Sequence, residues 1–410
     1  MITTVFILKI GCGLLLWAIY TFYYTDRATA DIYKYFDDSK VMYDALKTKP
    51  SHYFKMLFGI GNNTPEFNTY YNQMNYWSRK YNGGGYNDSH TIVRLNAIMR
   101  IFSLGYYNVH TVFICFLSLI GLTAIYKTFV KYLTDKTTEL LVIVFFLPSV
   151  IFWGSGVLKE GFILFSLGML IFVIQQKLSI KMVVILIIAI MLLALSKFYL
   201  WLAILPSLLF LFWIKNTSIK RVWLKFFIVI SVFAVIGLNV DRFTNLQNPL
   251  VTLSQKQLDF NKLASGELVD TNNKPIPPAN SAIHINELKP TIASFIKNSP
   301  QAFLTVLLRP YLWEANSPFL LLAALENALI VLFISFCLIF MRPLNSIRWE
   351  YVLLCLSFVI IQFVIIGEIT PIMGAIVRYK VPTMPFLLIA FLYMLDKDKI
   401  RNYFPLLNSV

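Results

Sequence analysis

Charge is scarce in this chain. Asp, Glu, Lys and Arg make up 14% of its 410 residues, against roughly 25% in soluble proteins. Apolar types make up 58%, and mean hydropathy is +0.66. A soluble core cannot hide that much apolar surface, which excludes a soluble enzyme and a disordered chain. Cysteine is scarce too. Cys12, Cys115, Cys337 and Cys355 lie singly in apolar runs with no CxxC pair, so they read as small hydrophobes and exclude a disulfide scaffold. His52, His90, His110 and His284 form no HxxH or HExxH, and no zinc site is expected. What these absences leave is an all-α, polytopic membrane protein.

A bilayer crossing takes roughly 17–25 apolar residues. About ten transmembrane helices are expected, over 3–23, 109–126, 138–154, 160–175, 182–196, 198–214, 222–240, 318–341, 350–367 and 380–395. The first is not expected to be a cleaved signal peptide, because its basic region is weak and Ala-x-Ala is missing before Tyr23 and Tyr24. With the amino terminus cytoplasmic, the inner connections and tail carry 14 Lys and Arg residues and the short outer connections carry 4, namely Lys159, Lys197, Arg378 and Lys380. That asymmetry puts both termini in the cytoplasm. It also accounts for part of the net charge of +15 through topology and anionic membrane lipids, with no nucleic acid needed as partner.

The expected organisation is a single integral-membrane domain over 1–410 with two large outer regions, 24–108 and 241–317. Both contain amphipathic pieces suited to the interface plane. Ile92, Leu95, Ile98, Met99 and Phe102 recur at helical spacing, as do Ile292, Phe295, Ile296, Phe303 and Leu307. Loop-like stretches at 82–86 and 272–278 interrupt them. Function is therefore expected on the outer face.

Charges near membrane depth are costly and mark candidate sites. After the first span, Asp31, Tyr35 and Asp38 share one helical face, while Asp37 points elsewhere. A carboxylate there can act as general base on a hydroxyl; the structural alternative is a solvated helix start. Lys159 and Glu160 follow Pro148, Gly154 and Gly156. Lys159 suits a phosphate and Glu160 suits a positive helix end, although a snorkelling lysine with a capping glutamate fits equally. Arg309 and Glu314 flank Tyr311 and Trp313, resembling an interfacial belt with a cation able to grip phosphate. Glu326 lies well inside a span and needs a partner or a proton. Arg378, Tyr379 and Lys380 open the last span, and the two cations stand outside against the usual charge rule. That marks them for binding an anionic group such as a lipid phosphate, the alternative being chance in the topology signal. Tyr70, Tyr71, Tyr76, Trp77, Tyr81 and Tyr86 suit sugar faces or interfacial anchoring.

Three short blocks carry a resemblance: Ala30-Asp31-Ile32-Tyr33-Lys34-Tyr35-Phe36; residues 146–160 with Lys159-Glu160; and residues 377–385 with Arg378-Tyr379-Lys380. In these and in layout the chain resembles bacterial integral-membrane glycosyltransferases of the GT-C superfamily. The likeness is strongest to relatives of the dolichyl-phosphate-mannose-type protein mannosyltransferases encoded among surface-polysaccharide genes. Where those enzymes open the first outer loop with an Asp-Glu pair, Asp26-Arg27 stands here.

The resemblance implies a polyprenyl-phosphate-linked sugar donor in the bacterial cytoplasmic (inner) membrane. The sugar would pass to a glycan, lipid or protein acceptor on the outer side. It also implies a catalytic Asp in the first outer loop: Asp31, with Asp37 and Asp38 competing. A divalent cation on Asp37 and Asp38 is the one cofactor left open. Two other readings stay open, a polymerase or ligase of lipid-linked glycan repeats, and a non-catalytic transporter or membrane subunit with protein partners on its outer loops. The absence of a convincing internal repeat weighs against a transporter.

Overall fold

The structure, a computed structural model, describes residues 1–403 apart from 26, 28–29, 76, 79–85, 178, 218–220, 245–246 and 269–276. Asp26, Tyr76, Tyr81, most of the glycine-rich 82–86 stretch and most of 272–278 lie outside the described residues. Among the described residues every named element is helical, and extended pairing is limited to isolated bridges, Ala282 with Ile372 and Met341 with Leu395. The chain divides into two compact units, residues 1–129 with 144–201 and residues 130–143 with 202–410.

In the first unit, α1 (Ile2–Ala18) runs on through a π-helical turn to Tyr23. It is followed by α2 (Asp31–Thr48), α3 (Ser89–Ser103), α4 (Tyr107–Phe129), α5 (Lys159–Ile174) and α6 (Ile180–Ser196). The closest helix pair is α4 with α5, and small residues make it possible. A Cβ added to Gly168 would strike the backbone of Gly121, and one added to Gly121 would strike that of Leu164. Such backbone approach is how helices associate where apolar burial gives no advantage over lipid. Gly168→Ala should therefore push the two helices apart. A destabilisation of about 1–3 kcal/mol is expected, read as a lower thermal unfolding midpoint in detergent; an unchanged midpoint would contradict the packing.

Lys9 stands in the apolar middle of α1 and is completely buried. Its ammonium donates to the Gly154 carbonyl at 3.2 Å, just past the short helix Pro148–Trp153. A cation on terminal carbonyls satisfies groups that the helix leaves open.

In the second unit the main helices are α7 (Phe198–Asn216, from Leu202 onward), α8 (Val222–Leu238), α9 (Pro249–Ser265), α10 (Ile292–Leu308), α11 (Pro318–Ile339), α12 (Trp349–Ile369), α13 (Met373–Tyr379) and α14 (Met384–Met394). The centre of this unit is α12, which packs against α9, α10 and α14. Basic residues also cap helices. Lys136 donates to the Leu392 carbonyl at 2.8 Å and to that of Leu395, while Arg342 reaches Leu395 at 2.9 Å and pairs with Asp135 at 2.5 Å. Burial, with Arg342 nearby, brings the Lys136 ammonium down to about 8.

Six helices are long and apolar enough to cross a membrane: Ile2–Tyr23, Tyr107–Phe129, Phe198–Asn216, Pro318–Ile339, Trp349–Ile369 and Met373–Met394. Ile180–Ser196 and Val222–Leu238 are apolar but shorter. Leu322, Leu325, Leu329 and Leu332 stand exposed along one face of α11, and Val184, Ile187, Ile188 and Met191 along α6. Continuous apolar faces of this kind belong against lipid. The chain is thus a helical membrane protein.

Several expected segments come out differently. Over 138–154 there is no single helix: Thr137–Phe145 ends, Leu147 is extended, and Pro148 starts a new turn. The residue before a proline is pushed out of the α region, which explains the break. The last span begins at Met373 rather than 380 and turns through a 3-10 segment, Val381–Thr383. This brings Arg378, Tyr379 and Lys380 inside it. The expected interfacial faces are also divided. On α3, Ile98 and Phe102 are exposed while Ile92 and Met99 are buried. On α10 the buried side is Asn298, Ala302 and Val306, while Ile292 and Ile296 face out. Small residues face the core there because Gly367 of α12 abuts the Ala302 backbone.

Candidate functional site

The three carboxylates of α2 have separate environments. Asp37 takes two hydrogen bonds from the Arg27 guanidinium, at 2.8 and 2.6 Å, and Arg27 lies 4.0 Å over the Tyr33 ring. The hydrogen bond to Asp37 leads the effects that raise the Arg27 pKa. Asp38 is buried and accepts the Asn75 backbone N–H at 2.7 Å. It thereby fastens the 72–75 segment to α2. Adjacent helix positions project in different directions, and accordingly Asp37 and Asp38 serve different partners. Asp31 is the first residue of α2 and is half-buried, at the positive helix end where a carboxylate is stabilised.

Lys159 opens α5 and is 6% exposed. Its ammonium is 2.6 Å from the Asp88 carboxylate and 5.7 Å from the centre of the Tyr35 ring. Tyr35 lies one turn from Asp31 on the same face of α2, so Lys159 and Asp31 are brought to one side of that helix. Glu160, in the first turn of α5, is fully buried. Beneath α2, the buried Arg100 of α3 donates to the Phe36 carbonyl at 2.5 Å and the Ser39 hydroxyl at 3.1 Å, with its guanidinium 4.0 Å over the Phe36 ring. Burial lowers the Arg100 pKa. His110 bridges Asn96 at 2.8 Å and Ser103 at 2.7 Å, fixing α3 to α4. Together these contacts make a hydrogen-bonded polar floor beneath α2.

Among the described residues, the aromatics of the 70–90 segment are largely engaged with each other. Tyr71 stacks on Trp77 at 4.6 Å and Trp77 on His90 at 3.9 Å, with Arg94 5.4 Å over the Trp77 ring. Tyr86 is exposed and hydrogen-bonds Thr91 at 2.8 Å. Among the described members of this set Tyr86 is the most exposed, while Tyr71 and Trp77 give their faces to the stack.

In the second unit the expected phosphate cations have structural contacts. Lys380 is 6% exposed, and its ammonium donates to the Val306 carbonyl at 3.0 Å, the Arg309 carbonyl at 3.1 Å and Asn327 Oδ1 at 2.9 Å. An ammonium has three donors, and all three are used. Asn327 in turn donates to the Leu308 carbonyl at 2.5 Å. Glu326, half-buried one residue earlier, acts electrostatically on Lys380, giving the membrane carboxylate a cationic partner. Arg309 pairs with Glu314 at 3.2 Å, and Glu314 also accepts the Tyr311 backbone N–H at 3.1 Å. Tyr311 stacks on Trp313 at 4.8 Å. Arg378 is half-buried, and Tyr379 approaches the Phe260 ring edge at 6.5 Å.

Sequence reasoning missed Asp88, Arg100, Asn327 and Glu368. Glu368 had a readable signal, a carboxylate at the end of an apolar run, but it falls one residue past the expected 350–367 span. Among the described residues no group of three or more His, Cys, Asp and Glu is arranged to hold a metal ion. Comparison with family models, curated proteins and solved structures finds no match.

Proposed function

We propose that this protein is a membrane glycosyltransferase that moves a sugar from a polyprenyl-phosphate donor to a hydroxyl of a glycan, lipid or protein acceptor. The reading includes about ten membrane passes with both termini cytoplasmic, residence in a bacterial inner membrane, and chemistry on the outer side. One observation carries it: the half-buried Asp31 and the buried Lys159 lie against the same face of α2, beside an apolar membrane body.

In this reaction Asp31 takes the proton of the acceptor hydroxyl. The hydroxyl oxygen bonds to the anomeric carbon as the bond from that carbon to the phosphate oxygen breaks. The departing polyprenyl phosphate carries the negative charge away, and Lys159 stabilises it in a low-dielectric setting. Asp88, 2.6 Å from the ammonium, orients the lysine. Within the same unit, the exposed apolar face of α6 suits a polyprenyl tail.

A photoreactive polyprenyl-phosphate analogue tests this placement. It should label α2 or the start of α5, and unlabelled lipid phosphate should compete. In Lys159→Met, labelling should fall by about tenfold or more, as expected for losing a charge-assisted phosphate contact. Labelling confined to the second unit would overturn the assignment.

A further inference from the structure

The outer end of α12 carries a carboxylate with no role in the reaction above. Glu368 is 2% exposed, and its Oε1 has no hydrogen-bond partner among the described residues. Its carboxylate takes a side-chain hydrogen bond from Asn298, and no Lys, Arg or His among the described residues pairs with it. It borders a cavity of about 10 Å³, lined also by Asn286, Asn298, Gln301, Thr305 and the α10–α12 contact at Ala302 and Gly367. That is room for about one water-sized species.

The walls are braced. Gln257 of α9 donates to the backbone carbonyls of Asn286 at 2.8 Å and Glu368 at 2.6 Å, and its own oxygen accepts the Leu288 N–H at 2.8 Å. The Asn286 amide nitrogen donates to Gln301 at 2.5 Å, and that of Asn298 to the Glu287 carbonyl at 3.1 Å. With their N–H groups directed at protein acceptors, Asn286 and Asn298 have oxygen to offer a guest. Thr305 adds a hydroxyl. The cavity therefore joins one carboxylate to neutral oxygen donors.

A buried carboxylate without a counter-charge is costly. A single monovalent cation would neutralise it, whereas a divalent one would leave net positive charge in the same buried space. We infer that Glu368, Asn286, Asn298 and Thr305 form a binding site for one sodium-sized monovalent cation. This inference is independent of the sugar-transfer reading.

The test uses the full-length protein in nanodiscs at constant pH and ionic strength, with choline chloride exchanged for NaCl. Saturable binding of one ²²Na⁺ per chain is expected, with a rise in unfolding midpoint that KCl reproduces less well. Glu368→Gln should abolish both effects. Thr305→Val, a milder change, should weaken sodium binding at least threefold and keeps the test open if Glu368→Gln fails to fold. Absence of saturable binding in the native protein, or undiminished binding in Thr305→Val and Glu368→Gln alike, would overturn the site.

Discussion

If Asp31 is the proposed general base, Asp31→Asn protein should insert and fold, yet transfer sugar about 10²–10⁴ times more slowly than the native chain, the range a positioned general base contributes. The substitution keeps size and polarity but removes the ability to take a proton. Asp31 is half-buried at the start of α2, where a carboxylate is worth roughly 0.3–1 kcal/mol, and the isosteric amide keeps its shape. Asp37→Asn and Asp38→Asn are expected to differ from it. The first loses its pairing with Arg27, and the second weakens the tie to Asn75; both should affect stability more than chemistry. Initial rates on the three variants, each normalised to folded protein, separate the roles. A polymerase or ligase working through an outer arginine would show the opposite pattern, with Arg309→Ala inactive and Asp31→Asn active.

Lys380→Met is expected to lower stability by about 2–5 kcal/mol, because three carbonyl-type acceptors lose a charged donor at once. The lower end allows for the modest net value of hydrogen bonds inside membranes. Asn327 connects the same point to the Leu308 carbonyl, so the loss should loosen the junction of α10, α11 and α13. Lys380→Arg should not restore it fully, since a planar guanidinium cannot occupy the same three directions. The readout is the unfolding midpoint together with KM for the donor on the folded fraction. The midpoint should fall and KM should stay. If stability is unchanged and KM rises, Lys380 binds phosphate as its sequence position suggested.

Lys380 illustrates why only part of the site was legible in the sequence. Apolar runs are local, and five of the six long spans follow from them with shifts of a few residues at their ends, while the last begins seven residues earlier than expected, at Met373. The break at Pro148 is likewise local. The satisfaction of a buried cation is not, because its acceptors come from far along the chain. Lys9 finds Gly154 145 residues away, and Lys136 finds Leu392 at a separation of 256. Lys380 finds Val306 at 74. Counted as charges, these lysines look like topology signals or phosphate ligands; placed in the fold, each closes backbone carbonyls that helix ends leave open.

The α2 face fared differently. Its Asp31, Tyr35 and Asp38 spacing is a helical periodicity, and α2 forms as expected. The partner of Lys159 was beyond reach, since Asp88 lies at the end of a glycine-rich stretch with no periodic pattern. Glu368 was hidden by a boundary: α12 extends to Ile369, two residues past the expected end of that span.

Sugar transfer from a lipid phosphate is tested most directly by turnover of radiolabelled polyprenyl-phosphate sugars by the purified protein in liposomes. One polyprenyl phosphate should be released for each sugar transferred to an acceptor, and the release should depend on Asp31. A native protein that turns over none of the donors, and instead copurifies with stoichiometric membrane partners, would contradict it.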